Sequence, residues 1–579
     1  MRVWREDSVV GWIIVAFALS QLVAMGWDLP GSYGWENDGI APRDFFAGIG
    51  LNLTPGRGHR YPLLHNLVLG ILSLPVLLPA ALRAEDWSLP ALKQQLLTVP
   101  TMTGVSIIAK GLGLAMACVS ILFLARMARR TVSVRAGRWA GVWAATSLSF
   151  AYYGRVSNLD GPYLMWTVLA MDRLLTVAET RQRRDYLWFG VFAGAAVATK
   201  DQAYAGFVLT GLMYLILLPA RVDRPLGDRR THYVGTAWAT LTGALALGLL
   251  GGGLLNPTGF VARLRELTGR ASQDWMSYER TPQGLTQNLV DLFLAQGSFL
   301  WPWLVVALCW LGMVIAASAE SEEGLRSRTF RLLPLCAGVS SLVFFTLVVA
   351  RCEHRFLLPF GFWLAYYGGV GSAALLGWAA ERGLWPTRAA YLLGACLAIA
   401  AFLHSFEVHL TQRGDARHEV AEYLANLEPG TLVETYHLLV HLPHFDLSKG
   451  SPYRLQRVSR RPIADRNPLP GGREIDEPYG NIDQRRPDVL IVPEFSAREF
   501  IPRNLREGET APAALAKNLA DRDAQRFFES ILDDSLNGYE VVSIVEPAMP
   551  AWAIALGLQP VQVHQSVGNR QWILERTKR

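Results

Sequence analysis

Apolar runs about as long as a bilayer is thick recur through the first 406 residues, and no other feature limits the possible folds so tightly. GWIIVAFALSQLVAMG (11–26) and LLPLCAGVSSLVFFTLVVA (332–350) are two of them; others lie near 63–82, 104–125, 139–153, 161–178, 186–199, 203–220, 234–255, 298–317, 356–379 and 389–406. A helix needs roughly 20 mostly apolar residues to span hydrocarbon, and lipid tolerates no unpaired backbone, so these runs predict membrane helices. With 51% hydrophobic and only 18% charged residues in 579, the chain exceeds one soluble core and suits a bilayer. The first run is long for a signal-peptide core and no small-x-small cleavage site follows it, so it reads as an uncleaved first helix.

The formal net charge of +6 does not point to nucleic acid, because the arginines stand in short clusters between apolar runs. If every run crossed, the linker RMARRTVSVRAGR (126–138), with its five arginines, would face outward against the positive-inside rule. Treating Tyr61–Leu82, which contains Pro62, Pro75 and Pro79, as an interfacial or re-entrant segment restores parity. The arginine-bearing linkers 126–138, 179–185, 221–233, 318–331 and 380–388 then all face the cytoplasm. This gives a polytopic α-helical membrane protein of about 11 crossings. Residues 1–406 form its membrane domain, with outward loops at 27–103 and 256–297. Cys118, Cys309, Cys336, Cys352 and Cys396 lie in or beside apolar runs and suggest neither a disulfide framework nor a CxxC metal site.

Residues 407–579 read as a small extracytoplasmic α/β domain. A helix is expected at Ala416–Leu427, strands at TLVETY, PDVLIVPE (487–494), YEVVSIVEP and RQWILERT, and one helix over AALAKNLADRDAQRFFESILDD. The Pro-, Gly- and Arg-rich stretch 446–486 reads as a long loop.

In this topology the polar residues at helix mouths gather on the outward face: Glu36, Asn37, Asp38, Arg43 and Asp44; His59, Arg60 and His65; Asn158 and Asp160; Lys200 and Asp201; Glu353, His354 and Arg355. A charge at mid-bilayer costs about 2.5–3.5 kcal/mol, so such residues sit at the interface or line a cavity. Simple helix-end chemistry competes with that reading. Asp160 before Gly161-Pro162 fits a helix N-cap, Asp38-Gly39 fits a turn, and Lys200 fits the negative end of a helix dipole.

Five segments in order carry a resemblance to a known family: WENDGIAPRDFF followed by HRYPLLH, then RVSNLDGPYLMW (155–166), VATKDQAYAGFVL (197–209) and HRFLLPF (354–360). Together they resemble the GT-C superfamily of polyprenyl-phosphate-dependent glycosyltransferases, in particular the branch with protein O-mannosyltransferases and the lipid A aminoarabinose transferase. The resemblance implies an inverting transfer of sugar from a polyprenyl phosphate to a hydroxyl on lipid, glycan or protein, at the outer face of a bacterial inner membrane. It places a catalytic base in the first outward loop, with Asp38 the best positional match and Glu36 and Asp44 left open. Asp44, Arg60, Tyr61, Asp160, Lys200, His354 and Arg355 become substrate-binding candidates, and Arg355 supplies a permanent cation where a lipid phosphate would lie. No cofactor is implied beyond the lipid-linked sugar as co-substrate. No metal site is expected, since His59, His65 and His354 share no ligand spacing. A transporter or lipid flippase would instead carry ionisable residues deep within its spans, and a non-catalytic envelope scaffold would leave Asp38 dispensable.

Overall fold

A computed structural model describes residues 7–31, 33–36, 38–42, 44–58, 61–220, 226–268, 273–318, 328–436, 438–445, 451–459, 469, 471–502, 504–563 and 567–577. The membrane domain is built around helix His354–Glu381, buried along most of its length. Small residues let its neighbours approach closely, as is usual where lipid offers no hydrophobic drive between helices. A Cβ on Gly369 would clash with the Ala136 carbonyl oxygen of helix Val134–Ala145, and one on Gly312 would lie in the Tyr367 carbonyl. Interhelical hydrogen bonds complete the packing, from Trp143 Nε1 to Ser372 Oγ at 3.0 Å and between Thr131 Oγ1 and the Tyr366 hydroxyl at 2.7 Å.

Five helices are long and apolar enough to cross a membrane by length and composition: Leu63–Ala81, Val99–Thr131, Arg230–Leu250, Arg328–Val349 and Leu384–Ala425. The pair Pro282–Phe299 and Trp303–Ser318, bent by 118°, adds a sixth if counted as one span. The other expected crossings are helical too; some are shorter, such as Arg183–Thr199 and Ala205–Ala220, whereas Asp160–Thr180 and His354–Glu381 have 21 and 28 residues. The run 139–153 is split into Val134–Ala145 and Leu148–Tyr153. The segment expected to lie in the interface or to re-enter is a continuous 19-residue helix, Leu63–Ala81, with Pro75 and Pro79 inside it, long and apolar enough to cross by length and composition. Neighbouring helices and polar side chains make proline tolerable in a membrane helix.

Charge also runs deeper than the sequence suggested. Lys110 lies well inside the 33-residue helix Val99–Thr131, fully buried, with Nζ 3.0 Å from Asp28 Oδ1 and bonded to the Trp27 carbonyl oxygen. Burying two charges is acceptable only when they are paired and hydrogen-bonded, as these are.

Helix Leu384–Arg413 runs through the boundary expected at 406/407 and ends at Gly414, its C-cap. The domain holds six strands: β1 (Thr431–Tyr436), β2 (Tyr453–Val458), β3 (Arg473–Ile475), β4 (Val489–Pro493), β5 (Tyr539–Val545) and β6 (Gln571–Arg576). Their order is β3-β2-β1-β4-β6-β5; the first four are parallel and β6 runs antiparallel to both β4 and β5. Helix Ala416–Ala425 packs on one face through Val420 and Leu424, and helix Arg522–Leu532 on the other through Phe527, Phe528 and Ile531. All five residues of β4 are buried, as a strand covered on both faces requires.

Two expectations fail in this domain for readable reasons. The stretch 446–486 is not all loop, because it supplies β2, β3 and the short helix Ile482–Arg485. Their polar composition conceals buried pairs between elements: Arg457 meets Glu474 at 2.9 Å, and Glu434 of β1 accepts from Gln456 at 2.6 Å and Arg485 at 2.9 Å. The helix expected over 513–534 is broken, since the side chain of Asp521 accepts from Ala524 N at 3.1 Å and caps a separate helix, Arg522–Leu532.

Candidate active site

The loop that follows the first helix is seated from below and from above. From below, Asp28, with φ of 66°, receives Lys110 on one oxygen and the Trp35 amide on the other at 3.2 Å. A short aspartate side chain tolerates this left-handed backbone. From above, the C-terminal domain closes on two buried tryptophans. Trp27 Nε1 donates to Asp415 Oδ2 at 2.9 Å, the Arg417 guanidinium lies 4.1 Å from the Trp35 ring centre, and His444 stacks on Trp35 at 4.7 Å. Glu36 and Asp38 follow Trp35 directly, so the domain fixes where these carboxylates sit. The Glu36–Gly39 turn rests on segment 155–158. Ile40 N donates to the Ser157 carbonyl at 2.8 Å, and a Cβ on Gly39 would lie 2.9 Å from Ser157 Oγ. That approach is why glycine follows Asp38.

The structure joins most of the predicted residues into one cluster. Asp38 accepts from the Tyr61 hydroxyl at 3.2 Å on Oδ1 and is ion-paired with Arg355 through Oδ2. Arg355 Nε also meets Glu353 Oε2 at 2.7 Å, and Glu353 pairs with Arg351. Glu36, buried, is bonded by the Tyr152 hydroxyl and by Asn158 Nδ2 at 3.0 Å. Asp160 opens helix Asp160–Thr180, and its Oδ1 takes Lys200 Nζ at 2.6 Å from the end of helix Arg183–Thr199. Asp160 is therefore a partner for Lys200 and not the side-chain N-cap its position suggested; its amide instead donates to Asn158 Oδ1 at 2.8 Å. His354 packs flat against Phe299, and Asp44 starts helix Asp44–Leu53, against the positive end of its dipole. Arg60 lies outside the described residues.

Three residues of the cluster were not singled out from sequence: Tyr152, Tyr153 and Arg351. Tyr153 is fully buried, its hydroxyl has no hydrogen-bond partner among the described residues, and it lies within the electrostatic reach of Glu36, Asp160, Arg355 and Glu353. Only its place just before the Arg155–Asp160 segment hinted at this. Asn256 braces the first loop, its Nδ2 donating to the carbonyls of Thr54 at 2.7 Å and Arg57 at 2.6 Å. Among the described residues no three His, Cys, Asp or Glu side chains converge as a metal site.

Residues 102–245 match the family model described as dolichyl-phosphate-mannose-protein mannosyltransferase. No curated protein matches the chain in sequence. Among solved structures, ArnT from Cupriavidus metallidurans bound to undecaprenyl phosphate is similar at 15% identity over 84% of this chain and 93% of that one, with a TM-score of 0.48. The archaeal oligosaccharyltransferase AglB from Archaeoglobus fulgidus, with an inhibitory peptide and a dolichol-phosphate, is similar at 10% identity over 99% of this chain and 89% of that one, with a TM-score of 0.49. The family-model match takes in Arg155, Asp160 and Lys200, so over residues 102–245 this membrane protein is similar to the dolichyl-phosphate-mannose-protein mannosyltransferase family, in line with the resemblance seen in the sequence.

Proposed function

We propose that the chain is an inverting glycosyltransferase that moves a sugar from a polyprenyl-phosphate donor to a hydroxyl acceptor on lipid, glycan or protein. The reaction takes place at the outer face of a bacterial inner membrane, with the C-terminal domain on the same, extracytoplasmic side. The observation that carries this reading is the Asp38–Arg355 pair, which joins the first outward loop to a residue 317 positions away at the mouth of the central helix. A base and a phosphate ligand are thereby held side by side.

The chemistry follows from that adjacency. An incoming donor phosphate competes with Asp38 for the Arg355 guanidinium, since arginine binds phosphate oxygens as readily as carboxylates. Freed of its counter-ion, Asp38 becomes the stronger base and takes the acceptor's hydroxyl proton as that oxygen attacks the anomeric carbon. The bond between the anomeric carbon and the phosphate oxygen breaks on the opposite side, and the configuration inverts. Arg355 and Lys200 carry the charge left on the polyprenyl phosphate. Glu36, held by Tyr152 and Asn158, and Asp160, held by Lys200, shape the pocket around the sugar. The lipid-linked sugar is the only co-substrate, and no metal takes part. The family model's own description, which names a dolichyl-phosphate-linked sugar, supports this donor class.

The test is sugar transfer from a panel of labelled polyprenyl-phosphate sugars by membranes holding wild type, Asp38→Asn or Glu36→Gln. Loss of turnover with donor binding kept in Asp38→Asn alone supports the assignment. Full activity in Asp38→Asn moves the base to Glu36 or Asp44, and no transfer by wild type from any donor overturns the reading.

A further inference from the structure

Between β5 and β6 the C-terminal domain carries a stretch unlike the surface of a soluble domain: residues 547–569 contain no Asp, Glu, Lys or Arg. Its first part holds the five-residue helix Ala551–Ala555, followed by Gly557 at φ of 77°. Ala553 and Leu558 turn inward, whereas Trp552, Ile554 and Leu556 turn outward and are 51%, 62% and 60% exposed. Three large apolar side chains within five residues form a patch of the kind that marks an interaction surface.

Helix Leu384–Arg413 gives this patch its height. Arg388 and Glu407 bracket residues 389–406, which include no Asp, Glu, Lys or Arg and form about 29 Å of helix at 1.5 Å per residue, one hydrocarbon thickness. Glu407 therefore marks the membrane boundary on the side of the C-terminal domain. The apolar segment is fastened at that level. Gln559 N donates to Glu407 Oε1 at 3.2 Å, Val561 N to Thr411 Oγ1 at 3.0 Å and Ala548 N to the Gly414 carbonyl at 2.7 Å. Ala553 and Leu558 pack on Leu410, beside Leu403 and Phe406. Phe406 in turn stacks on Phe402 at 5.4 Å, and Phe402, Ile399 and Leu392 face outward from the spanning stretch. The lipid-facing surface of the helix thus runs on into the patch through Phe402 and Phe406.

We propose that Trp552, Ile554 and Leu556 seat the C-terminal domain in the headgroup and upper acyl region of the leaflet on its own side, so that the lipid surface is the partner of this face. The seat is interfacial and not a further crossing. Pro547, Pro550, Gly557 and Pro560 keep the segment from forming a helix long enough to span, and its irregular backbone is acceptable beside water but not within hydrocarbon. Tryptophan suits that depth, with an apolar ring and one N–H donor. Because the segment has no cation, apolar burial drives the contact and anionic headgroups add nothing. This assignment is independent of the proposed reaction.

The experiment places the photoreactive residue benzoylphenylalanine at Trp552 or Ile554 of the full chain in lipid nanodiscs and reads phospholipid adducts by mass spectrometry. The control position is Glu428, which is exposed just past Ala425, where the line of the same helix has run about 27 Å beyond Glu407. Adduct yield at 552 and 554 is expected to be about ten times that at 428, and the same in phosphatidylcholine discs with or without phosphatidylglycerol. Ile554→Lys/Leu556→Lys should lower the yield at 552 about tenfold with the melting temperature unchanged, since both side chains point outward. Should that variant prove unstable, the yields at 552 and 554 against 428 decide alone. Yields no higher than the control, adducts to a second copy of the chain in place of lipid, or a yield that requires phosphatidylglycerol would each overturn the proposal.

Discussion

Two carboxylate–guanidinium pairs flank the loop after the first helix, and they are built differently. Asp415–Arg417 lies within the C-terminal domain, two residues apart, with side chains 4% and 2% exposed. It is bidentate, with Nε to Oδ1 at 2.8 Å and Nη2 to Oδ2 at 2.6 Å, and Trp27 and the Arg417 amide fill the carboxylate's remaining capacity. Asp38–Arg355 spans two distant segments, is 9% and 14% exposed, and meets through one oxygen and one nitrogen. Its arginine is shared with Glu353. The first pair is saturated and has nothing left to offer a ligand. The second can exchange partners. A buried pair with every site filled is a fastener, whereas a pair that meets through one oxygen and one nitrogen, with its arginine divided between two carboxylates, is held less completely.

The largest expected effect tests that contrast from the catalytic side. Asp38→Asn should lower transfer by about 10²–10⁴-fold, the usual worth of a general base, while the melting temperature stays within a few degrees of wild type. Arg417→Ala should do the reverse. Leaving Asp415 buried and unpaired should cost about 3–5 kcal/mol of stability, read by thermal unfolding, with activity falling only as the loop under Trp35 loosens. If both variants lose activity and stability alike, the two pairs are not different in kind.

Arg355→Lys should sharpen the comparison further. A lysine keeps the charge but cannot reach Glu353 and a phosphate as a planar fork, so KM for the donor should rise about tenfold with a smaller change in kcat. A pH series probes the fastener. Burial pushes the His444 imidazole down to about 4 from its ordinary value near 6.5, so the docked ring is neutral. Between those values the undocked state binds a proton that the docked state does not, and docking therefore weakens as pH falls through this window. The loss should be no more than about 3 kcal/mol, visible as faster proteolysis at the 413–415 junction, and His444→Gln should flatten it. The smallest effect is an expected null: transfer by wild type should be unchanged after chelation of divalent cations, and a loss of activity restored by one metal would refute the metal-free chemistry.

How much could be read in the sequence differs between the two regions as well. In the membrane domain, apolar length and local motifs gave the helices and most of the cluster, because lipid imposes a strong one-dimensional pattern. Tyr153 and Arg351 escaped because a tyrosine or an arginine beside an apolar run looks the same whether it anchors the interface or faces a pocket. Lys110 escaped for a related reason: its partner Asp28 is 82 residues away, and only the fold brings them together. In the C-terminal domain the buried strand β4 announced itself, whereas β2 and β3 were hidden by Arg457, Glu474 and Gln456, whose polarity is satisfied only by neighbouring strands. The clamp of Arg417 and His444 on Trp35 left no local signal at all, since its members come from opposite ends of the chain.

The unbroken helix Leu384–Arg413 makes the extramembrane domain a lever. Its 30 residues form a rod about 45 Å long, anchored in lipid at one end and carrying the tryptophan clamp at the other. A thinner or thicker bilayer that tilts such a rod by about ten degrees moves its far end by about 8 Å, more than enough to pull Arg417 off Trp35. A displacement of that rod relative to the first loop would be felt at Trp35, and through it at Glu36 and Asp38.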